Sequence, residues 1–410
     1  MPLVESAPAV ELCEGGVTAP EGFLATGLHC GIKRESPDLA AVYSTVRATA
    51  AAVFTTNRVV AAPLIVDQRQ LARSSAMRLI VINSGNANAC TGERGMQDAA
   101  TMVESAARAF AVPDAEVLVS STGVIGKFLP MEKITAGIEK AAHHLAPDGS
   151  RLAAEAIRTT DTFPKEAAVT VEMSDGPVRI GGIAKGSGMI APNMATMLAF
   201  VTTDAAVGGE LLQHAWRSVT DRSFNRISVD GDMSTNDMAV VLANGLSGTR
   251  MLRRRSDPDY ALFAAGLEVV LTRLSKLIVQ DGEGATKFVE VRVVGARSEQ
   301  EAVRAARAIA QSSLVKTAIH GEDANWGRIL AAVGYSGIEF QPERVAISLN
   351  GLPILRPNFA IDFSEKHAKA ALSHKEIEIL VHLHQGTHEA CFWTCDLSKR
   401  YVDINANYRS

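Results

Sequence analysis

Residues 181–200 read GGIAKGSGMIAPNMATMLAF. Gly186 and Gly188 mark a loop, small residues follow, and the apolar run from Met197 to Phe200 has the character of a strand. Thr196 stands where loop becomes strand, near the middle of a 410-residue chain. Inside a chain this threonine is a weak nucleophile. If the Ala195–Thr196 bond breaks, Thr196 gains a free α-amine beside its hydroxyl. That amine, with an ordinary pKa of about 8, can take the hydroxyl proton at neutral pH. Two better-known glycine motifs are excluded. A phosphate-cradling loop needs Gly-Lys-Ser/Thr, but the order here is Lys185-Gly186-Ser187. A dinucleotide fingerprint needs a third glycine where Ala191 stands.

Working outward, the length allows two or three domains or one large layered fold. Apolar residues make up 47% and charged residues 21%, as in ordinary globular proteins. A net charge of −4 leaves no electrostatic footprint for nucleic acid. The one basic cluster, Arg250, Arg253, Arg254 and Arg255, is followed by Ser256-Asp257-Pro258-Asp259 and reads as a solvated loop. No apolar run reaches the roughly 20 residues of a membrane span, and Met1–Glu14 lacks a signal-peptide pattern. A cytoplasmic protein with no membrane partner is expected. Five scattered cysteines agree with reduced thiols. Cys391 and Cys395, with His382, His384 and His388 nearby, keep zinc in view only as a lesser alternative; the two strand histidines His382 and His384 are expected on the solvent face.

Strand-like runs fall at 77–82, 117–120, 168–173, 178–184, 197–203, 238–242, 289–294, 345–349 and 377–383. Helical spacing appears at 95–111, 152–158, 210–220, 260–279 and 299–314. The two are mixed without strict alternation, which favours an α+β fold of layered sheets and helices. A seam near 282–287 opens a smaller α+β subdomain over about 288–395, read as strand, helix, strand, strand over 288–383.

Seven segments carry a resemblance: Lys185–Phe200, Asn83–Gly92, Ser121–Gly126, Thr159–Thr162, Gln280–Lys287, His320–Arg328 and Asn405–Ser410. In their order along the chain they resemble the ornithine acetyltransferase family, the ArgJ proteins of arginine biosynthesis. The resemblance implies a self-cleaving α+β fold, with 1–195 as α chain, 196–410 as β chain, and 396–410 as a tail returning to the active site. It implies transfer of acetyl from N2-acetylornithine to glutamate through an acetyl-Thr196 intermediate, with ornithine released. Thr122 and Gly123 are implied as the oxyanion hole. Thr159, Lys185, Thr196, Glu283, Asn405 and Ser410 are implied as substrate-binding. Within 159–162, Thr160 and Thr162 stay open beside Thr159. No cofactor or metal is expected; acetyl-CoA is a possible co-substrate in some family members, and the assembly expected is two α and two β chains.

The residues alone are also compatible with plainer roles. Thr122-Gly123 suits a strand-to-loop turn, Lys185 a surface loop, and Glu283 a solvated turn. Asp230–Asp237 is rich in oxygen ligands but lacks the glycine and glutamate of a calcium loop, with Val241 at the twelfth position. Glu322–Gly327 is expected to be structural or to support the site from behind, with a helix start at Asp323 or Asn325 as the plainer option. The rival readings are a self-cleaving aminopeptidase or amidase of similar architecture, and a non-catalytic ligand-binding protein built on Asp230–Asp237.

Overall fold

The computed structural model describes residues 9–191 and 197–407. The first strands are β1 (Val10–Cys13), β2 (Phe23–Leu28), β3 (Leu39–Phe54), β4 (Ala76–Asn86) and β5 (Val117–Val124). Then come β6 (Lys165–Met173), β7 (Gly176–Lys185), β8 (Leu198–Thr203), β9 (Ile227–Ser228) and β10 (Met238–Ala243). The last are β11 (Phe288–Ala296), β12 (Ala346–Leu349), β13 (Leu352–Leu355), β14 (Glu376–His382) and β15 (His388–Cys395).

One sheet runs β1-β6-β7-β8-β10-β3-β4-β5, with β2 also on β3. Its strands β8 and β10 are buried on both faces. The reason is a fold in the sheet. Strand β3 is irregular between Tyr43 and Ala48; its first half pairs with β2 and most of β4, and its second half with β10. Ile80, Ile82 and Leu118 from one half pack with Ile183, Phe200 and Val240 from the other in a shared inner core. Phe200 is fully buried there, and a side chain of that size contributes about 1.5–3 kcal/mol by leaving water.

Outside one half, Leu79, Val81 and Val119 meet the helices Gly92–Ala109 and Met131–Ala142. Outside the other, Val169, Ile180 and Val201 meet the helices Gly209–Arg222 and Tyr260–Gln280. The result is helix, sheet, sheet, helix: an α+β fold. Strand β3 lies outside the runs that the sequence suggested. Six alanines dilute the strand-favouring residues of LAAVYSTVRATAAAVF and blur its pattern, and packing in the sheet overrides that dilution.

The second sheet runs β13-β12-β14-β11-β15-β9. Strand β15 ties the two bodies together, because Phe392 enters the second core and Trp393 the first. Two expectations fail here. The helix expected over 299–314 stops at Gln311, since Ser312 is extended and caps a separate helix, Ser313–His320. The region 288–383 also holds the helices Trp326–Gly334 and Glu365–Leu372, too short to print a clear period in the sequence. Asn325 caps the first of these by accepting from the Arg328 N–H at 3.2 Å.

Candidate active site

The end of β5 is held by an asparagine-rich turn. Ser121 Oγ donates to Asn83 Oδ1 at 2.6 Å, and Asn83 Nδ2 donates to the Asn86 carbonyl at 2.9 Å. Asn86 Oδ1 accepts from the Asn88 N–H at 2.9 Å. The segment Asn83–Asn88 therefore fixes the strand end on which Thr122 and Gly123 sit. Gly123 has φ +129°, and a Cβ there would lie 2.4 Å from the Gly85 carbonyl carbon and 2.6 Å from the Asn86 nitrogen. Only glycine fits, and its N–H is aimed by that constraint.

Thr122, Gly123, Thr159, Lys185, Glu283 and Asn405 line one cleft of about 130 Å³. Thr160, Met197, Ser234, Asn236 and Asp237 share its wall. Met197 follows Thr196, the first residue past the expected cleavage point; Ala195 and Thr196 lie outside the described residues, as does Ser410.

Lys185 is no surface lysine. It ends β7 and is 8% exposed, and its ammonium has no hydrogen-bond partner among the described residues. Burial lowers its pKa; the Asp161 carboxylate opposes that, Lys165 adds to it, and Asp237 and Glu283 oppose it again. A buried ammonium without a direct partner suits a ligand carboxylate.

Behind it lies a fully buried ion triad. Lys165 Nζ contacts Asp161 Oδ1 at 2.7 Å and Asp281 Oδ2 at 2.6 Å. Burial works against the charge on Asp161, but Lys165, Lys185 and the Thr159 N–H outweigh it and hold the carboxyl well below the usual range. Asp161 Oδ1 also accepts from the Gly186 N–H at 2.7 Å, and Oδ2 from the Thr159 N–H at 3.0 Å. One carboxylate thus joins the threonine turn to the loop after β7. Thr162, by contrast, gives its N–H and hydroxyl to Asp281, so of the three threonines only Thr159 and Thr160 face the cleft.

Glu283 is 8% exposed and follows the end of the helix Tyr260–Gln280. Its N–H donates to the Ser187 carbonyl at 2.9 Å, and Gly188 passes so close that a Cβ there would lie 2.4 Å from the Glu283 carboxyl carbon. Asn405, on the helix Lys399–Asn407, donates Nδ2 to Glu283 Oε2 at 2.8 Å.

Several residues that sequence reasoning left without a role shape this cleft. Asp230 accepts from the Met189 N–H at 2.5 Å and the Ile190 N–H at 2.8 Å, fastening the loop. Asn236 Nδ2 donates to the carbonyls of Ala87 at 2.6 Å and Ser121 at 2.9 Å, bridging the two halves of the folded sheet. Asp237 is 2% exposed with Oδ2 unpartnered, and burial pushes its pKa well above the ordinary carboxylate value. Lys33 donates to the carbonyls of Pro37 at 2.9 Å and Arg158 at 2.6 Å; burial lowers its pKa to about 8. The polar run Asp230–Asp237 was the available signal for three of these.

The cysteine and histidine cluster comes apart in the fold. Cys391 and Cys395 sit four residues apart on strand β15, about 13 Å of extended chain, too far to share one ion. The rings of His382 and His384 stack at 3.6 Å. Among the described residues no group of three His, Cys, Asp or Glu side chains is placed to hold a metal, and no helix is long and apolar enough to cross a membrane.

Comparison with known proteins gives a consistent answer. Residues 24–410 match the ArgJ family. An arginine biosynthesis bifunctional protein ArgJ from Symbiobacterium thermophilum is 52% identical over 404 residues, 98% of this chain and all of that one. Its counterpart from Chlorobaculum tepidum is 51% identical, covering 95% and 96%. Among solved structures, an argJ protein of Bacillus halodurans is 47% identical, with TM-score 0.44 over 45% of this chain and 98% of that one. An ornithine acetyltransferase of Mycobacterium tuberculosis complexed with ornithine is 40% identical, with TM-score 0.42 over 45% and 100%. With a family match across nearly its whole length and relatives more than half identical, the chain belongs to the ArgJ family.

Proposed function

We propose that this protein is a glutamate N-acetyltransferase of arginine biosynthesis that cuts itself between Ala195 and Thr196. The observation that supports it best is convergence. Thr122 and Gly123 on β5, Lys185 on β7, Glu283 after a helix and Asn405 near the C-terminus meet in one cleft, with Met197 in its wall.

In this reading the Thr196 hydroxyl attacks the acetyl carbonyl of N2-acetylornithine while its own α-amine takes the hydroxyl proton. The Thr122 hydroxyl and the Gly123 N–H donate to the oxyanion, where one donor is worth about 3 kcal/mol in the transition state. The carbon–nitrogen bond breaks, the proton passes to the departing ornithine nitrogen, and an acetyl ester remains on Thr196. The glutamate amine attacks that ester, and the hydroxyl is restored. Lys185 takes the α-carboxylate of either substrate. Glu283, steadied by Asn405, takes the side-chain ammonium of ornithine. Thr159 borders the substrate, and Ser410 completes the tail's contribution. No metal or bound cofactor takes part. The relatives are named bifunctional, and we extend the reading to acetyl-CoA as a first acetyl donor. A cytoplasmic tetramer of two N-terminal and two C-terminal chains belongs to the same reading.

The test is an intact mass of the denatured protein with N-terminal sequencing. Two chains summing to the whole plus one water, the second beginning at Thr196, are expected. A single uncut chain that transfers acetyl at full rate would overturn the mechanism. Glutamate acetylation with acetyl-CoA alone tests the second activity.

A further inference from the structure

A separate groove of about 640 Å³ lies between the helices Gly209–Arg222 and Glu299–Gln311. Four guanidinium groups line it, from Arg222, Arg226, Arg304 and Arg307. Two are matched by carboxylates. Arg222 forks onto Glu268 at 3.1 and 2.8 Å, and Arg226 meets Glu299 at 2.8 Å. The remaining acid of the groove, Asp221, accepts from Asn225 Nδ2 at 2.8 Å.

Arg304 and Arg307 have no carboxylate partner among the described residues. Arg304 reaches only the Gly337 carbonyl, and Arg307 only the Asn225 carbonyl, each at 3.4 Å. Nε of Arg307 is buried without a hydrogen bond. The Phe392 ring, 5.7 Å away, backs its guanidinium and holds it in the wall. Burial, and then the like charge of Arg226, push the Arg307 pKa down. Guanidiniums brought together in a half-buried groove without enough counter-charge carry a cost that a bound anion relieves. Their planar forks match the oxygen spacing of a phosphate.

We propose that this groove is a binding site for a phosphate dianion, gripped by Arg304 and Arg307 with Arg226 beside them. The phosphate is either free or the terminal group of a nucleotide. The site is distinct from the cleft, with which it shares no lining residue.

Calorimetric titration of the intact protein with inorganic phosphate, and separately with adenosine 3′,5′-bisphosphate, tests this. Saturable binding of at least one probe is expected. Arg304→Ala and Arg307→Met should each weaken it about tenfold, the size of one charge-assisted hydrogen bond. Arg307→Lys, which keeps the charge and loses the fork, should still weaken it severalfold. Lys185→Met should leave it unchanged. Tighter binding of the bisphosphate identifies a nucleotide site, and equal binding identifies free phosphate. No saturable binding of either probe overturns the proposal, as does binding lost in Lys185→Met or indifferent to the arginine variants at unchanged melting temperature. If Arg307→Met fails to fold, Arg304→Ala decides alone, because Arg304 is exposed.

Discussion

Replacing Gly123 by alanine should nearly abolish acetyl transfer while leaving the protein folded. At φ +129° an L side chain is strained, which costs about 1–3 kcal/mol. The added Cβ would lie 2.4 Å from the Gly85 carbonyl carbon, whereas ordinary contact begins at 3.4 Å. Both sides of that contact are backbone, so no rotamer change relieves it, and β5 must move from β4 by about 1 Å. A shift of that size at a reacting centre costs on the order of 10²-fold, and losing an oxyanion donor costs about 10²–10³-fold. The expected result is a fall in kcat of about 10²–10³ with a smaller change in KM, measured as acetyl transfer from N2-acetylornithine to glutamate. Chain composition is checked first by intact mass. Thr122→Ala, which removes a hydroxyl without moving backbone, should lower kcat comparably at an unchanged melting temperature. If Gly123→Ala keeps its activity within about threefold, the N–H of residue 123 does not hold the oxyanion and the reasoning is wrong.

Two further outcomes concern the buried triad. Lys165→Met leaves Asp161 and Asp281 without their shared cation and should destabilise the protein by about 3–5 kcal/mol, read by denaturant unfolding; a loss under about 1 kcal/mol would show that the triad is not what holds this turn. Asp161 is held below its ordinary pKa, so its contribution is present above about pH 4 and drains away as pH falls below that value. Stability followed by urea titration should therefore drop on acidification in the wild type, and Lys165→Met should flatten that part of the acid limb; parallel acid limbs would refute the assignment.

The cleft residues Thr122, Gly123, Lys185 and Glu283 were singled out by the family resemblance, since taken alone they suited a turn, a surface loop and a solvated turn equally well. Thr122-Gly123, Lys185 and Glu283 each stand at the end of a strand or helix, where a side chain or N–H can face a cleft. The strand runs that bracket them were legible from the residues themselves, since β-branched residues in 77–82, 117–120 and 178–184 have few other places to go. The sequence by itself also pointed to the strand that opens at Leu198 and placed a glycine at position 123.

Only the tertiary structure decided the rest. The alanine-rich β3 becomes a central strand because two layers of packing require small side chains there. Its irregularity near Tyr43–Ala48 folds the sheet over, and this brings the end of β5 against the start of β10. Asn236 and Asp237 reach the cleft through that fold, 113 or more residues from Gly123 in the chain. The Asp161–Lys165–Asp281 triad spans 116 residues between Lys165 and Asp281. Local sequence carries propensity and turn chemistry, whereas partners so distant are chosen by which layers bury each other's apolar faces.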